Sequence, residues 1–139
     1  RISFALNNGG AGNITNGLAA GEYHDAGAAV SYTLAADELV LELAFGFDTD
    51  VLLDESLSIA DLLSAAGAGN GLSVTAATIS VTAANDEFLL IAYQGSQAYI
   101  YKVEDSDGDL AITVADTIDM LVQVQGIAIG GFTAADFID

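Results

Sequence analysis

The stretch Asp86-Glu87-Phe88-Leu89-Leu90-Ile91-Ala92-Tyr93-Gln94-Gly95-Ser96-Gln97-Ala98-Tyr99-Ile100-Tyr101-Lys102-Val103 decides the fold. Apolar and aromatic runs stand on either side of Gln94-Gly95-Ser96, the pattern of two strands joined by a short turn, and predict a β-hairpin. The second arm runs straight into Glu104-Asp105-Ser106-Asp107-Gly108-Asp109-Leu110-Ala111-Ile112-Thr113-Val114-Ala115-Asp116. Another alternating run, Ile118 to Val124, leaves that loop. An acidic loop is thereby held between strands.

Within the loop, carboxylates fall at alternate positions, Asp105, Asp107 and Asp109, so a turning backbone can aim them at one centre. Hard oxygen ligands with no His or Cys nearby select calcium over zinc or copper. Counted from Asp105 as position 1, Asp107 takes position 3, Asp109 position 5, the Ala111 carbonyl position 7, Thr113 position 9 and Asp116 position 12. That is the ligand spacing of an EF-hand loop, with apolar Ile112 at position 8 and Gly108 at position 4. The spacing departs from that pattern at position 6, where Leu110 stands in place of the glycine of the sharp bend. It departs again at position 12, where Asp116 is shorter than glutamate. Strands rather than helices flank the loop, so it would be EF-hand-like without the EF-hand fold. The alternative is a solvated acidic turn, since Asp and Gly are ordinary turn residues.

The order DEFLLIAYQGSQAYIYKVEDSDGDLAITVADTIDMLVQVQGI over 86–127, followed by FTAADFID over 132–139, resembles the terminal unit of large bacterial extracellular proteins. These are adhesins, S-layer-like proteins and other calcium-loaded products of type I secretion. In that group a strand hairpin leads into an Asp-x-Asp-Gly-Asp loop, then a strand, then a short Thr-x-x-Asp-Phe ending. Here those are Asp105-Ser106-Asp107-Gly108-Asp109 and Thr133-Ala134-Ala135-Asp136-Phe137. The resemblance implies bound calcium and an extracellular or cell-surface location.

A chain of 139 residues suits one domain with a proper core, so 1–139 is read as a single β-rich domain. Apolar residues make up 53% of it, too many for a disordered acidic tail. Charge is the extreme feature: 20 Asp plus Glu oppose only Arg1 and Lys102, a net −18. Such a surface repels nucleic acid and anionic lipid, so neither is expected as a partner. No apolar run approaches the roughly 18 residues of a membrane helix, and membrane insertion is not expected. The charge also repels other copies of the chain, at a cost that bound cations relieve. There is no Cys, which rules out disulfides and leaves the compartment open by the redox argument. The chain starts at Arg1 without Met and shows no basic-plus-apolar leader, so it reads as processed or as a piece of a longer chain. If it is exported, Asp136-Phe137-Ile138-Asp139 resembles the acidic-apolar endings of type I substrates.

Outward from the hairpin, Ile2, Phe4 and Leu6 alternate as a half-buried strand, with Asn7-Asn8-Gly9-Gly10-Ala11-Gly12-Asn13 as a loop behind it. Val30, Tyr32 and Leu34 alternate, and Leu39, Leu41, Leu43, Phe45 and Phe47 define the buried face of a secure strand, with Glu38 and Glu42 opposite. Asp48, Asp50 and Asp54 form a second acidic cluster, a possible second metal site whose alternative is a solvated turn. Ser58-Ile59-Ala60-Asp61-Leu62-Leu63 starts as a short helix that Gly67 ends. The glycines of 67–71 lack the Lys and the flanking elements of a phosphate cradle and read as a turn. Ser73-Val74-Thr75-Ala76-Ala77 and Ser80-Val81-Thr82-Ala83-Ala84 are near duplicates that fit Thr-rich strands. Ser58 with Asp61, Thr113 with Asp116 and Thr133 with Asp136 share a hydroxyl-x-x-Asp spacing that caps a helical turn.

Short alternating strands with Gly and Asp turns predict a mainly β fold, an antiparallel β-sandwich with one or two short helices. The lone His24 has no nucleophile arranged beside it, and no paired carboxylates face a sugar cleft, so no enzyme is expected. The expected function is that of a structural extracellular protein, a calcium-stabilised subunit or terminal domain that self-assembles into a surface layer or filament. Its partner would be other copies of itself, joined through sheet edges or the N-terminal strand. The alternative is a carbohydrate- or protein-binding module of an adhesin, with Tyr23, Tyr93, Tyr99 and Tyr101 as candidate contacts.

Overall fold

The structure, a computed structural model, describes residues 23–25, 31–35, 38–46, 53–62, 78–82 and 86–137. The strand read at Ile2, Phe4 and Leu6, the aspartates Asp48 and Asp50, the glycine turn of 67–71 and the first of the duplicated Thr-rich runs lie outside the described residues. In chain order the strands are β1 (Tyr23–Asp25), β2 (Ser31–Thr33), β3 (Val40–Gly46), β4 (Thr78–Ser80), β5 (Glu87–Gln94), β6 (Gln97–Glu104) and β7 (Thr117–Gln125).

The hairpin is where its apolar runs place it. Strands β5 and β6 pair antiparallel from Glu87 opposite Glu104 to Gln94 opposite Gln97, which leaves Gly95 and Ser96 as the loop. Gly95 has φ +64° while Ser96 is not in the positive-φ region, the sign pattern of a II′ turn with glycine first. That turn twists in the sense of the strands, so the register is set locally.

The described strands form a five-stranded sheet in the order β1-β3-β5-β6-β7 and a two-stranded sheet of β2 and β4. The mainly β reading holds, and the half of the large sheet that grows from the hairpin is antiparallel. The other half joins in parallel: β1 with β3, and β3 with β5, while β2 and β4 also run parallel. Parallel neighbours need crossover connections of about a dozen residues or more. The connection from β1 to β3 carries β2, and that from β3 to β5 carries β4. The small sheet is therefore built from the two crossovers and lies over one face of the large sheet.

Both faces of the large sheet are covered. On one, Leu41, Leu43, Phe88, Leu90 and Tyr101 pack with Ile79 of the small sheet, with Leu34 and Val81 just beyond its strands, and with Leu53, Leu57, Ile59 and Leu62. On the other, Val40, Leu89, Ile91, Tyr93 and Ile100 pack with Leu39, Phe132 and Phe137. Full burial of one such side chain is worth about 1.5 to 3 kcal/mol, and a strand covered on both faces collects that at successive positions. This is why β5 is buried from Glu87 to Tyr93 without alternation. It also corrects the expected one-sided burial of β3: Leu41 and Leu43 are buried, but so are Val40 and Glu42 on the opposite side.

Strand β7 carries a β-bulge. Ile100 faces Val122, yet the next residue, Tyr101, faces Met120, so Leu121 is the extra residue. The alternating series Ile118, Met120, Val122 and Val124 consequently serves two cores, the first pair packing beneath the small sheet and the second on the opposite face. A one-residue slip turns every later side chain over.

The hydroxyl-x-x-Asp turns form as their spacing implies. Residues 59–62 are helical, Ser58 Oγ accepts from the Asp61 amide at 3.1 Å, and the Ser58 hydroxyl donates to Asp61 Oδ2 at 2.7 Å. The Thr133 amide and hydroxyl both donate to Asp136 Oδ2 at 2.9 Å, opening the 3-10 turn Ala134–Asp136. Residues 126–137 form a strap that returns across the second face of the sheet and seats Phe132 and Phe137 there. Gly131 is required in it, since a Cβ there would lie 2.7 Å from the Ala128 carbonyl oxygen and 2.8 Å from Ile127 Cγ1.

Candidate metal centre

The acidic loop ties the two sheets together. At its start the Asp105 amide donates to the Asp86 carbonyl at 3.1 Å, closing the open end of the hairpin. At its far side the Val81 amide donates to the Leu110 carbonyl at 2.9 Å and the Ile112 amide to the Ile79 carbonyl at 2.8 Å. Ala111 thus bridges Ser80 at the end of β4, and Ile112 enters the core beneath the small sheet.

Between these anchors each aspartate of the alternating series turns the backbone with one oxygen. Asp105 Oδ1 accepts from the Gly108 amide at 3.0 Å, Asp107 Oδ1 from the Asp109 amide at 3.1 Å, and Asp109 Oδ1 from the Ala111 amide at 2.8 Å. One carboxylate oxygen from each of Asp105, Asp107 and Asp109 lies within 4.8 Å of the other two. Ligands about 2.4 Å from a calcium ion lie no more than about 4.8 Å apart, so the spread suits an ion of that size. Asp105 is fully buried while Asp107 and Asp109 are exposed. The cluster can hold a metal ion, with the buried oxygen at its base and two at its mouth.

Leu110 has φ +72° and is the one non-glycine residue in the left-handed region among the described residues. The bend that an EF-hand loop makes through glycine is therefore present at position 6, made by a leucine at a cost of about 1 to 2 kcal/mol.

The remaining members of the sequence-selected set do other things. Asp116 Oδ1 accepts from the Ser106 amide and Oδ2 from the Thr113 amide, each at 2.7 Å, so this side chain clamps the loop across its width. Its carboxylate is not part of the three-aspartate cluster. Thr113 Oγ1 accepts from the Ala115 amide at 3.1 Å. In the second acidic cluster, Asp54 takes the Ser56 hydroxyl at 2.6 Å and the Ser56 amide at 2.7 Å, which holds its carboxyl below the usual range. Asp48 and Asp50 lie outside the described residues.

A second polar node has no signature in the spacing. Glu42 is 1% exposed, and its carboxylate accepts the hydroxyls of Tyr23, at 2.6 Å, and Tyr93. Burial, reinforced by the Glu42 carboxylate, pushes both phenols well above their ordinary range, while the backbone amides of Phe132 and Gly131 act on the Tyr93 oxygen in the opposite sense. Tyr93 stands 51 positions from Glu42 and Tyr23 stands 19 from it, so only the pairing of β3 with β5 and with β1 brings them together. Lys102 is paired with Glu87 at 3.1 Å, and this bond, with Glu104 and Asp119 nearby, raises its pKa. His24 lies 3.3 Å from Glu38 and stacks on Tyr32, whose hydroxyl also reaches Glu38. Of the four tyrosines named as candidate contacts, Tyr93, Tyr99 and Tyr101 are buried core residues and Tyr23 is half-buried.

No protein-family model, no curated protein and no solved structure matches the chain. Among the described residues no helix is long and apolar enough to cross a membrane.

Proposed function

We propose that the chain is a structural extracellular protein, a subunit or terminal domain that binds calcium in the loop of Asp105, Asp107 and Asp109 and assembles with copies of itself into a surface layer or filament. The observation that carries this reading is the convergence of three carboxylates in a loop that fastens one sheet to the other. In a chain of net charge −18, a cation at that junction offsets local repulsion where the two sheets meet. Only the folded loop gathers the ligands, so the ion stabilises the native state by mass action. Three of the four tyrosines that would serve a glycan-binding module are buried in the core, and half-buried Tyr23 bonds Glu42, so no specific feature favours that alternative.

Calorimetric titration of calcium into the chelator-treated protein tests the site. The parent should bind with saturable heat and Asp107→Ala should not. Equal affinity in the two would reject the ligand assignment. Light scattering and negative-stain microscopy with and without calcium test the assembly, for which uniformly monomeric protein in millimolar calcium is the contrary result.

A further inference from the structure

Self-assembly leaves open which surface one copy offers another, and charge narrows the choice. Contact between unmodified surfaces sets carboxylates against carboxylates over most of a chain with 20 acidic residues and two basic ones. The strap of residues 126–137 is different: Asp136 is its one charged residue, and that carboxylate is taken by the Thr133 amide and hydroxyl. Its seat on the sheet is largely apolar and aromatic, with the Phe132 ring tilted against Tyr93 at 6.5 Å and the Phe137 ring tilted against Tyr23 at 5.8 Å. This contact is already complementary, and the one carboxylate beneath it, Glu42, is held by the hydroxyls of Tyr23 and Tyr93.

The strap leaves β7 at Gly126, which has φ +74°, is exposed and has nothing within 4 Å of where a Cβ would stand. One hydrogen bond, from the Gly126 amide to the Ser96 carbonyl at 2.9 Å, holds that corner to the hairpin turn. Glycine adopts the left-handed and the extended backbone with similar ease, so the corner can open without steric cost.

Resting on the self-assembly reading above, we propose that copies of this chain join by exchanging the strap. Residues 126–137 of one copy straighten at Gly126 and seat Phe132 and Phe137 on the sheet of the next copy, in the place its own strap vacates. Every contact that seats the exchanged strap is one the closed chain already makes, so the exchanged seat itself needs no new pairing of like charges. A reciprocal exchange closes a dimer, and a head-to-tail exchange continues as a filament.

The chain has no cysteine, and a Cβ at Gly130 would lie 3.7 Å from Ala44 Cβ on β3, within the roughly 3.5 to 4.5 Å spanned by a disulfide. The double variant Ala44→Cys with Gly130→Cys, oxidised under calcium-containing conditions and compared with Gly130→Ala as a control for the strain of a side chain at φ +67°, therefore reports whose strap lies over which sheet. Exchange predicts covalent multiples of 14.1 kDa on a non-reducing gel that collapse on reduction. A single monomeric band, with the parent assembling by light scattering, would overturn exchange and leave self-assembly standing through another surface. A single band with a parent that is monomeric throughout would overturn both. Gly126→Val provides a second reading, because a β-branched residue disfavours the closed corner and not the open one. It should raise the assembled fraction about tenfold at fixed concentration, and an unchanged or lowered fraction counts against exchange.

Discussion

Leu110 shows what a single backbone angle can reveal. Its side chain is the wrong one for a left-handed bend, yet φ is +72° because the loop must turn between Asp109 and the bridge at Ala111. Leu110→Asn keeps a side chain while tolerating that conformation, and should stabilise the protein by about 1 kcal/mol, seen as a rise of a few degrees in the thermal midpoint. A lower midpoint would mean that the half-exposed leucine contributes more by packing than it loses in backbone strain. Asp107 and Asp116 separate two uses of the same side chain. Asp116→Ala frees two amides and should cost about 2 kcal/mol even in chelator, whereas Asp107→Ala should cost well under that without metal and abolish the calcium response. Chemical denaturation of both variants in chelator and in calcium distinguishes a clamp from a ligand. The alternation of Asp105, Asp107 and Asp109 was legible because ligand spacing is a local property. That Asp116 faces inward to amides was not, since position 12 of such a loop and the end of a capping turn look alike in sequence.

Among the elements, the hairpin and the strap illustrate opposite degrees of locality. Glycine at the first loop position and apolar runs on both sides determine β5 and β6 within 18 residues, 87–104. The strap depends on a node assembled from β1, β3 and β5, where Glu42 receives the hydroxyls of Tyr23 and Tyr93. Tyr93→Phe leaves one oxygen of a buried carboxylate without its phenol and should destabilise by about 2 to 3 kcal/mol, measured in urea. Tyr23→Phe added to it should cost less than the sum of the single effects, because both mutations remove hydrogen bonds to the same carboxylate, which is then free to move. Additive losses would show that the two tyrosines act separately. The bulge in β7 is of the same non-local kind. Ile118 to Val124 alternates without interruption in sequence, and only the opposing register of β6 reveals that its halves face different cores.

For the molecule as a whole, charge and burial set opposite ends of the pH range. Tyr23, Tyr32, Tyr93 and Tyr101 titrate higher in the folded chain than the ordinary tyrosine value of 10.0, burial being the first cause in each. Lys102 is raised from 10.5 by its bond to Glu87. Groups shifted upward by folding contribute fully below their unfolded pKa and lose that contribution as the pH rises above it. The protein should therefore unfold cooperatively above about pH 10, with the phenolate absorbance of these residues rising together with loss of the β-sheet dichroism. Phenolates that form in steps while the dichroism holds would contradict this burial. Under the proposed calcium reading, saturation at neutral pH with about a hundred times the dissociation constant should add about 2.7 kcal/mol, read as a higher thermal midpoint that chelator reverses. The amino-acid sequence by itself determined the β class, the hairpin, the capped turns and the aspartate series, because each follows from neighbours a few residues apart. Tertiary structure alone decided that half of the large sheet is parallel, that β3 is buried on both faces, that Glu42 is shared by two tyrosines and that Asp116 clamps rather than converges. Those outcomes depend on which distant strands pair and in what register, and residues brought together by such pairing leave no periodicity in the chain.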